Sequence, residues 1–407
     1  MTIPLVSLAD VEEARKLLDG VVRHTPLEPC RPLTDRLGGP AWLKCENLQR
    51  AGSYKVRGAY TRISRLTPQE RARGVVAASA GNHAQGVALA AGLLDTSATV
   101  FMPAGAALPK IAATKRYGAT VLTAGSTIDE ALVTAQEFAE STGAVLIHPF
   151  DHPDVIAGQG TVALEILEQC PDVKTIIAGI GGGGLISGIA VAAKALRPDV
   201  RVVGVQADEA AAYPPSLAAG HPVRVSRLTT IADGIAVGCP GELTFAHVSK
   251  LVDEVVTVTD EDISRALLML VERGKLVVEP AGAVGVAALL AGVVTVPTPA
   301  VVVLTGGNID PLLLLRVIEH GLAAAGRYLR LSVRCGDRPG QLAQLLTLIG
   351  EHGANVVDVA HRRHDPELNL GEVEIDLSVE TRGDEHADRL VDMLRAAGYP
   401  VTEWVNR

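Results

Sequence analysis

The 407-residue chain predicts an α/β protein of two lobes on open, mainly parallel sheets, followed by a smaller βαββαβ module. Three observations lead there. Apolar, β-branched runs alternate with amphipathic helical stretches over roughly the first three-quarters of the chain. Aromatic residues make up only 3%, so the core must be built from Ala, Val, Leu and Ile, which suits helices packed on a buried parallel sheet. After about Gly326 the pattern changes, and strands acquire one polar face, as in EVEIDLSV.

Taken in order, strands are expected at 41–44, 75–79, 98–102, 120–123, 145–148, 175–180, 201–206, 254–258 and 300–305. Helical stretches lie between them, such as 128–140 and 263–271, where apolar residues recur at three- and four-residue steps. Nine strands exceed one comfortable sheet, so two lobes are expected, the smaller spanning roughly 55–150. Residues 280–309 carry no charge, but Pro297 and Pro299 break the stretch. Helix, turn and buried strand is the better reading than a membrane span. The tail reads strand 328–335, helix 340–351, strands 355–361 and 371–379, helix 385–397 and strand 401–404, the order of a ferredoxin-like module. The boundary is set at the helix end GLAAAG, giving domains 1–326 and 327–407.

Composition excludes several classes of function. A net charge of −9 argues against a nucleic-acid surface, and 48% hydrophobic residues argue against general disorder. The cysteines (Cys30, Cys45, Cys170, Cys239, Cys335) are odd in number and never in C-x-x-C spacing. They suit neither a disulfide framework nor a zinc site, and fit a reducing cytosol. The first residues are acidic where a secretory signal needs a basic patch and an apolar run, so a cytoplasmic protein with no membrane partner is expected.

Three glycine-rich strand-to-helix turns are the candidate chemistry. In IIAGIGGGGLISG, Gly181, Gly182, Gly183 and Gly184 follow a strand and open a helix. Bare N–H groups and the helix dipole there favour an anion such as phosphate. Gly179, Gly181 and Gly184 also satisfy G-x-G-x-x-G, but the next strand ends in Gln206, with Asp208 two residues late, where a dinucleotide site needs an acid. In SAGNHAQG, Ser79, Ala80 and Gly81 form a bend suited to a carboxylate, with Asn82 and His83 opening a helix. Taken alone, Asn82 reads first as a plain N-cap, and His83 as a core histidine or a support for a neighbouring ligand residue rather than a base. In VLTGGNID, Thr305 can offer a hydroxyl to a ring nitrogen, or cap the helix expected near Pro311. Lys55, in GSYKVRGA, gains meaning beside phosphate, carboxylate and ring sites, because a Schiff-base lysine is the member such a set lacks.

GSYKVRGA, SAGNHAQG, GGGGLISG and TGGN, in this order, resemble the fold-type-II pyridoxal-phosphate enzymes, most closely the threonine dehydratases (threonine ammonia-lyases), over about residues 5–325. The tail, with DRPGQLAQLLTLIGEHGANVVDV, is similar to an ACT domain. The resemblance implies pyridoxal 5'-phosphate held covalently by Lys55, its phosphate by Gly181, Gly182, Gly183 and Gly184, its 3'-oxygen by Asn82, and its ring nitrogen faced by Thr305. It implies substrate contacts from Ser79, Ala80, Gly81, Asn82 and His83, and conversion of L-threonine to 2-oxobutanoate and ammonia, with L-serine to pyruvate beside it. Gly340 and Asn355 fall where relatives line an effector pocket at a dimer interface. Isoleucine or valine as effector, a role in isoleucine biosynthesis, and a homodimer or homotetramer are implied with it. Racemases of this fold carry a second serine where this chain has Ala80, which favours a dehydratase. Gln206 and Ala212 stand where relatives with a divalent cation have acidic groups, so no divalent metal site is expected, and a monovalent ion held by carbonyls is left open. Glu279, in VVEPAGA, matches a glutamate near the cofactor ring, or else simply starts a helix. The alternatives are a serine dehydratase or racemase of the same fold, and a non-catalytic amino-acid sensor.

Overall fold

A computed structural model describes residues 4–324, 327–363 and 368–403. The strands are β1 (Leu27–Pro29), β2 (Ala41–Lys44), β3 (Val75–Ala78), β4 (Ala98–Met102), β5 (Thr120–Thr123), β6 (Val145–Leu146), β7 (Thr175–Gly179), β8 (Arg201–Ala207), β9 (Glu254–Val258), β10 (Ala300–Val303), β11 (Tyr328–Gly336), β12 (Asn355–Arg362), β13 (Glu372–Glu380) and β14 (Val401–Glu403). The chain divides into two compact units, 1–310 and 311–407.

The first unit holds two sheets. One has the order β1-β2-β10-β7-β8-β9, parallel except for the β1–β2 pair, and the other is parallel throughout with the order β5-β4-β3-β6. All nine strands expected in this part are present, several ending one or two residues early, and residues 280–309 form a helix, Pro280–Ala291, and the buried β10. β1 is an addition. Three residues ending in Pro29 on an antiparallel edge carry no periodicity to read. Among the described residues no helix is long and apolar enough to cross a membrane. All five cysteines are free.

The helix Pro153–Gln169 organises this unit, because glycines let two neighbours reach its backbone. A Cβ on Gly58 would lie 2.8 Å from the Val155 carbonyl oxygen, and one on Gly188 2.3 Å from that of Ile156. Real Cβ atoms do not approach so closely, so glycine is required at both crossings. The helix Lys55–Ser64 and the helix Gly184–Leu196 are thereby seated on the same support.

In the second unit the sheet runs β12-β13-β11-β14, antiparallel throughout, with helices Gln341–Glu351 and Asp384–Ala396. Leu331, Val333, Leu345, Ile375, Leu377 and Leu394 fill its core. The helix Pro311–Ala324 belongs to this unit and packs on β11, so the compact division falls before that helix and not after it. The boundary set at residue 326 and the strand end at Trp404 lie outside the described residues.

Candidate active site

Lys55 opens the helix Lys55–Ser64, and the residues before it are tied to the loop after β10. The Tyr54 N–H donates to the Thr305 carbonyl at 3.2 Å, and Ser53 bridges to Gly306. The Lys55 Nζ donates to the Pro149 carbonyl at 2.9 Å, with the Tyr54 ring 5.2 Å away. Burial pushes the ammonium pKa down to about 8, and the charge of Glu279 opposes this only in part. A lysine of that acidity is far more available as a free amine than a solvated one.

The glycine run follows β7 after one residue, Ile180. Gly183 has a left-handed φ of +96° and forms the N-cap of Gly184–Leu196, which has no side-chain cap. Free N–H groups at that end form an anion cradle. Its walls are aromatic: a Cβ on Gly182 would lie 2.3 Å from the Phe150 ring, and one on Gly183 2.0 Å from the Tyr213 hydroxyl. Tyr213 donates from that hydroxyl to the Gly182 carbonyl at 3.2 Å, and from its N–H to Gln206 Oε1 at 2.9 Å. Gln206 in turn donates to the Ile180 carbonyl at 3.2 Å, so Tyr213 and Gln206 brace the backbone on either side of Gly181. A Gly183→Ala variant combines a positive φ with a collision against a buried hydroxyl. It is expected to lose about 1–3 kcal/mol of stability, read by thermal unfolding. Adding Tyr213→Phe, which removes the struck oxygen, should recover only part of the loss, because the backbone strain persists.

After β3, the Gly81 N–H donates to Ser79 Oγ at 3.1 Å, and no atom lies within 4 Å of where a Gly81 Cβ would stand. Ser79, Ala80 and Gly81 thus form a bend beside open space. Gly81 is the N-cap of the helix Asn82–Leu93, and Asn82 is its first residue. Asn82 is therefore not the cap. Its Nδ2 donates to Glu279 Oε1 at 2.5 Å, and its Oδ1 accepts from Asn308 Nδ2 at 2.7 Å. This helix meets the lysine helix at Gly86, where a Cβ would lie 3.1 Å from the Lys55 backbone. His83 is buried, donates from Nε2 to the Ile147 carbonyl at 2.8 Å, and is held neutral, its pKa pushed down to about 3 by burial and then by Lys55.

Glu279 occupies the N-cap position of Pro280–Ala291 but caps no N–H with its side chain, which goes to Asn82 instead. Only 4% exposed, its carboxyl is raised to about 7 by burial and the nearby Asp233 charge, against the Asn82 hydrogen bond. Its backbone N–H donates to the Gly306 carbonyl at 3.0 Å. The Thr305 hydroxyl reaches the Ala281 carbonyl at 3.4 Å, a weak contact, and does not serve the helix at Pro311.

The three glycine-rich turns and Lys55 therefore come together through short links. Lys55 meets Pro149, Phe150 walls the 181–184 run, Tyr54 meets Thr305, and Glu279 joins Asn82 to Gly306. Sequence reasoning missed Phe150, Tyr213 and Asn308. Asn308 alone had a signal, as the last residue of TGGN. In the second unit, Gly340 is a left-handed N-cap with φ of +89°, and Asn355 donates from Nδ2 to Glu380 Oε2 at 3.1 Å.

Comparison with known proteins agrees with this geometry. The family model described as pyridoxal-phosphate dependent enzyme matches residues 18–306, and the ACT domain model matches residues 329–394. The chain is 47% identical over 397 residues to an L-threonine ammonia-lyase of Thermotoga maritima, covering 98% of this chain and 99% of that one. Among solved structures it is similar to maize serine racemase, with TM-score 0.74, 36% identity, and 79% of this chain and 99% of that one covered. It is similar also to the processed form of threonine deaminase isoform 2 from Solanum lycopersicum, with TM-score 0.73, 39% identity, and 77% of this chain and 86% of that one covered. With a lysine, an anion cradle and a clamped asparagine tied together through Pro149, Phe150, Thr305 and Glu279, and with these likenesses over nearly its whole length, the chain belongs to the L-threonine ammonia-lyases among the pyridoxal-phosphate dependent enzymes and carries a C-terminal ACT domain.

Proposed function

We propose that this pyridoxal-phosphate dependent L-threonine ammonia-lyase works at Lys55, in the cleft bounded by the 181–184 run, the Ser79–Ala80–Gly81 bend and the turn after β10. The observation that carries the reading is the Lys55 amine, desolvated and linked through Pro149 and Phe150 to a cradle that admits no side chain. Those residues fit the cofactor: a phosphate among the N–H groups of Gly181, Gly182, Gly183 and Gly184, a covalent lysine at Lys55, a donor at Asn82 and a neutral hydroxyl at Thr305. When bound, pyridoxal phosphate supplies the electron sink that makes a threonine Cα–H acidic enough to remove.

The chain's own groups do the rest. Lys55 would hold the cofactor covalently, and its Nζ, once free, would take the Cα proton of the bound substrate. The bend at Ser79, Ala80 and Gly81 holds the substrate carboxylate with Asn82 beside it, and His83, neutral, braces the helix behind them. The electron pair of the broken Cα–H bond would form the Cα–Cβ double bond as the β-hydroxyl leaves, and the proton carried by Lys55 Nζ would go with it, so that it departs as water. Hydrolysis of the resulting enamine consumes that water equivalent, so threonine leaves as 2-oxobutanoate and ammonia with atoms balanced. Thr305, unlike a carboxylate, does not hold a ring nitrogen protonated, which favours prompt loss of the hydroxyl. Ala80 leaves the bend without the second serine hydroxyl of the racemases, which supports elimination over racemisation.

The same site turns over L-serine to pyruvate. One methyl separates the two substrates, worth about 1–3 kcal/mol, so kcat/KM for threonine is expected to exceed that for serine by roughly 10- to 200-fold. The ACT unit, in a cytoplasmic homodimer or homotetramer, takes isoleucine or valine near Gly340 and Asn355, as suits a biosynthetic role, and biases the catalytic unit by their differential binding to two states. One experiment tests the set: steady-state turnover of threonine and serine, with a chiral assay for D-serine, with and without each branched-chain amino acid. Absence of ammonia release from threonine would refute the catalytic reading, and indifference to both effectors would refute the regulatory one.

A further inference from the structure

Three residues of the cleft form a hydrogen-bond chain whose direction is fixed at one end. The Ala51 carbonyl can only accept, and Asn308 Nδ2 donates to it at 2.8 Å. That commits the amino end of Asn308, whose second N–H goes to Asn82 Oδ1 at 2.7 Å. With its oxygen so engaged, Asn82 must present its own amino end elsewhere, and one N–H goes to Glu279 Oε1 at 2.5 Å. Which way a carboxamide faces is ordinarily ambiguous, but here the backbone carbonyl decides it for both asparagines in turn. Space for the arrangement is built in: Gly52 has φ of +70°, and a Cβ there would lie 2.4 Å from Asn308 Oδ1. A Cβ on Gly306 would likewise collide with Glu279 Oε1 at 2.2 Å and crowd Asn82 Nδ2 at 2.9 Å.

We infer that Asn308 is a positioning residue that sets the facing of the Asn82 carboxamide, so that one Asn82 N–H is spent on Glu279 and the other is kept for an acceptor oxygen of the cofactor. This rests on the reading of Asn82 as a cofactor ligand given above. Asn308 acts only through Asn82. It also joins the three segments that carry the site, the loop before Lys55, the turn at Asn82 and the turn after β10, so that facing is set when these segments come together.

The informative change is Asn308→Asp, nearly isosteric but with no donor. Its carboxylate repels the Ala51 carbonyl and draws the amino end of Asn82 toward itself, turning the Asn82 oxygen to Glu279. The expected result is a pyridoxal phosphate dissociation constant raised at least tenfold by equilibrium dialysis, with a displaced visible absorption band in the saturated protein. Asn308→Ala, which removes the constraint without imposing the reversed facing, should weaken binding by a smaller factor, about threefold, and carries the test if the aspartate variant fails to fold. Far-UV circular dichroism and unfolding of the cofactor-free proteins supply the folding control. Cofactor affinity and band unchanged in a folded Asn308→Asp protein, while Asn82→Ala weakens binding, would overturn the inference alone. If Asn82→Ala itself binds the cofactor as tightly as the parent, the reading of Asn82 falls and the inference with it.

Discussion

A Lys55→Ala variant is expected to keep its fold and lose at least about 10³-fold of its threonine turnover, because one amine serves as both covalent anchor and base. Stability should change little. The variant loses the hydrogen bond to the Pro149 carbonyl, worth about 1 kcal/mol, but also sheds a desolvated ammonium, and the two nearly offset. Borohydride treatment of the cofactor-loaded parent should add one phosphopyridoxyl mass to the peptide containing Lys55, and none to the variant. The depressed pKa gives a second reading. Below about 8 the neutral fraction of the Lys55 amine grows about tenfold per pH unit, so the rate at which cofactor-free protein captures pyridoxal phosphate should rise from pH 6 to 8 and then level. A capture rate flat across that range would mean that the amine is not the group that captures the cofactor.

The alternation of apolar runs with helices made nearly all of the first unit legible, because a strand buried on both faces must be apolar and β-branched whatever its neighbours are. β1 was not, since its three residues owe their pairing to β2 and not to any pattern of their own. The glycines of the 181–184 run were readable as an anion cradle, but their necessity was not. It comes from Phe150 and Tyr213, which stand about 30 residues away on either side in sequence and meet the run only after folding. Asn82 illustrates the same limit. Its place after a strand and at a helix start suggested either a cap or a ligand. The tertiary partners Glu279 and Asn308, 197 and 226 residues distant, decide that it is no cap. Charge was the least legible feature: nothing local distinguishes Lys44, Glu46, Arg57 and Glu165 from surface residues, and all four side chains are 9% exposed or less.

Replacing Arg57 by methionine is expected to cost about 3–5 kcal/mol of unfolding free energy, the largest single loss of stability anticipated in this chain. Arg57 donates to both oxygens of Glu46, each at 2.8 Å, and to Glu165 Oε1 at 2.7 Å. Lys44 closes the group, donating to Glu165 Oε2 at 2.5 Å and to the Thr25 carbonyl at 2.8 Å. Two cations and two carboxylates balance. Burial alone would push the Arg57 guanidinium down, and the two flanking carboxylates push it up instead. Without Arg57, one ammonium faces two buried carboxylates, and a net negative charge remains in a medium that does not solvate it. The sign with pH follows. Carboxylates left short of a partner acquire folded-state pKa values above the ordinary glutamate value of about 4.3. Their penalty is then full at pH 7 and relieved as protons bind, so the gap between parent and variant should narrow as pH falls toward 4. Arg57→Lys keeps the charge but not the forked geometry, and should fall between the two. Because Arg57 lies two residues beyond Lys55 on one helix, the methionine variant should also bind pyridoxal phosphate less tightly at temperatures where it is still folded. A methionine variant as stable as the parent at pH 7 would show that the net negative charge left among Lys44, Glu46 and Glu165 carries no such penalty.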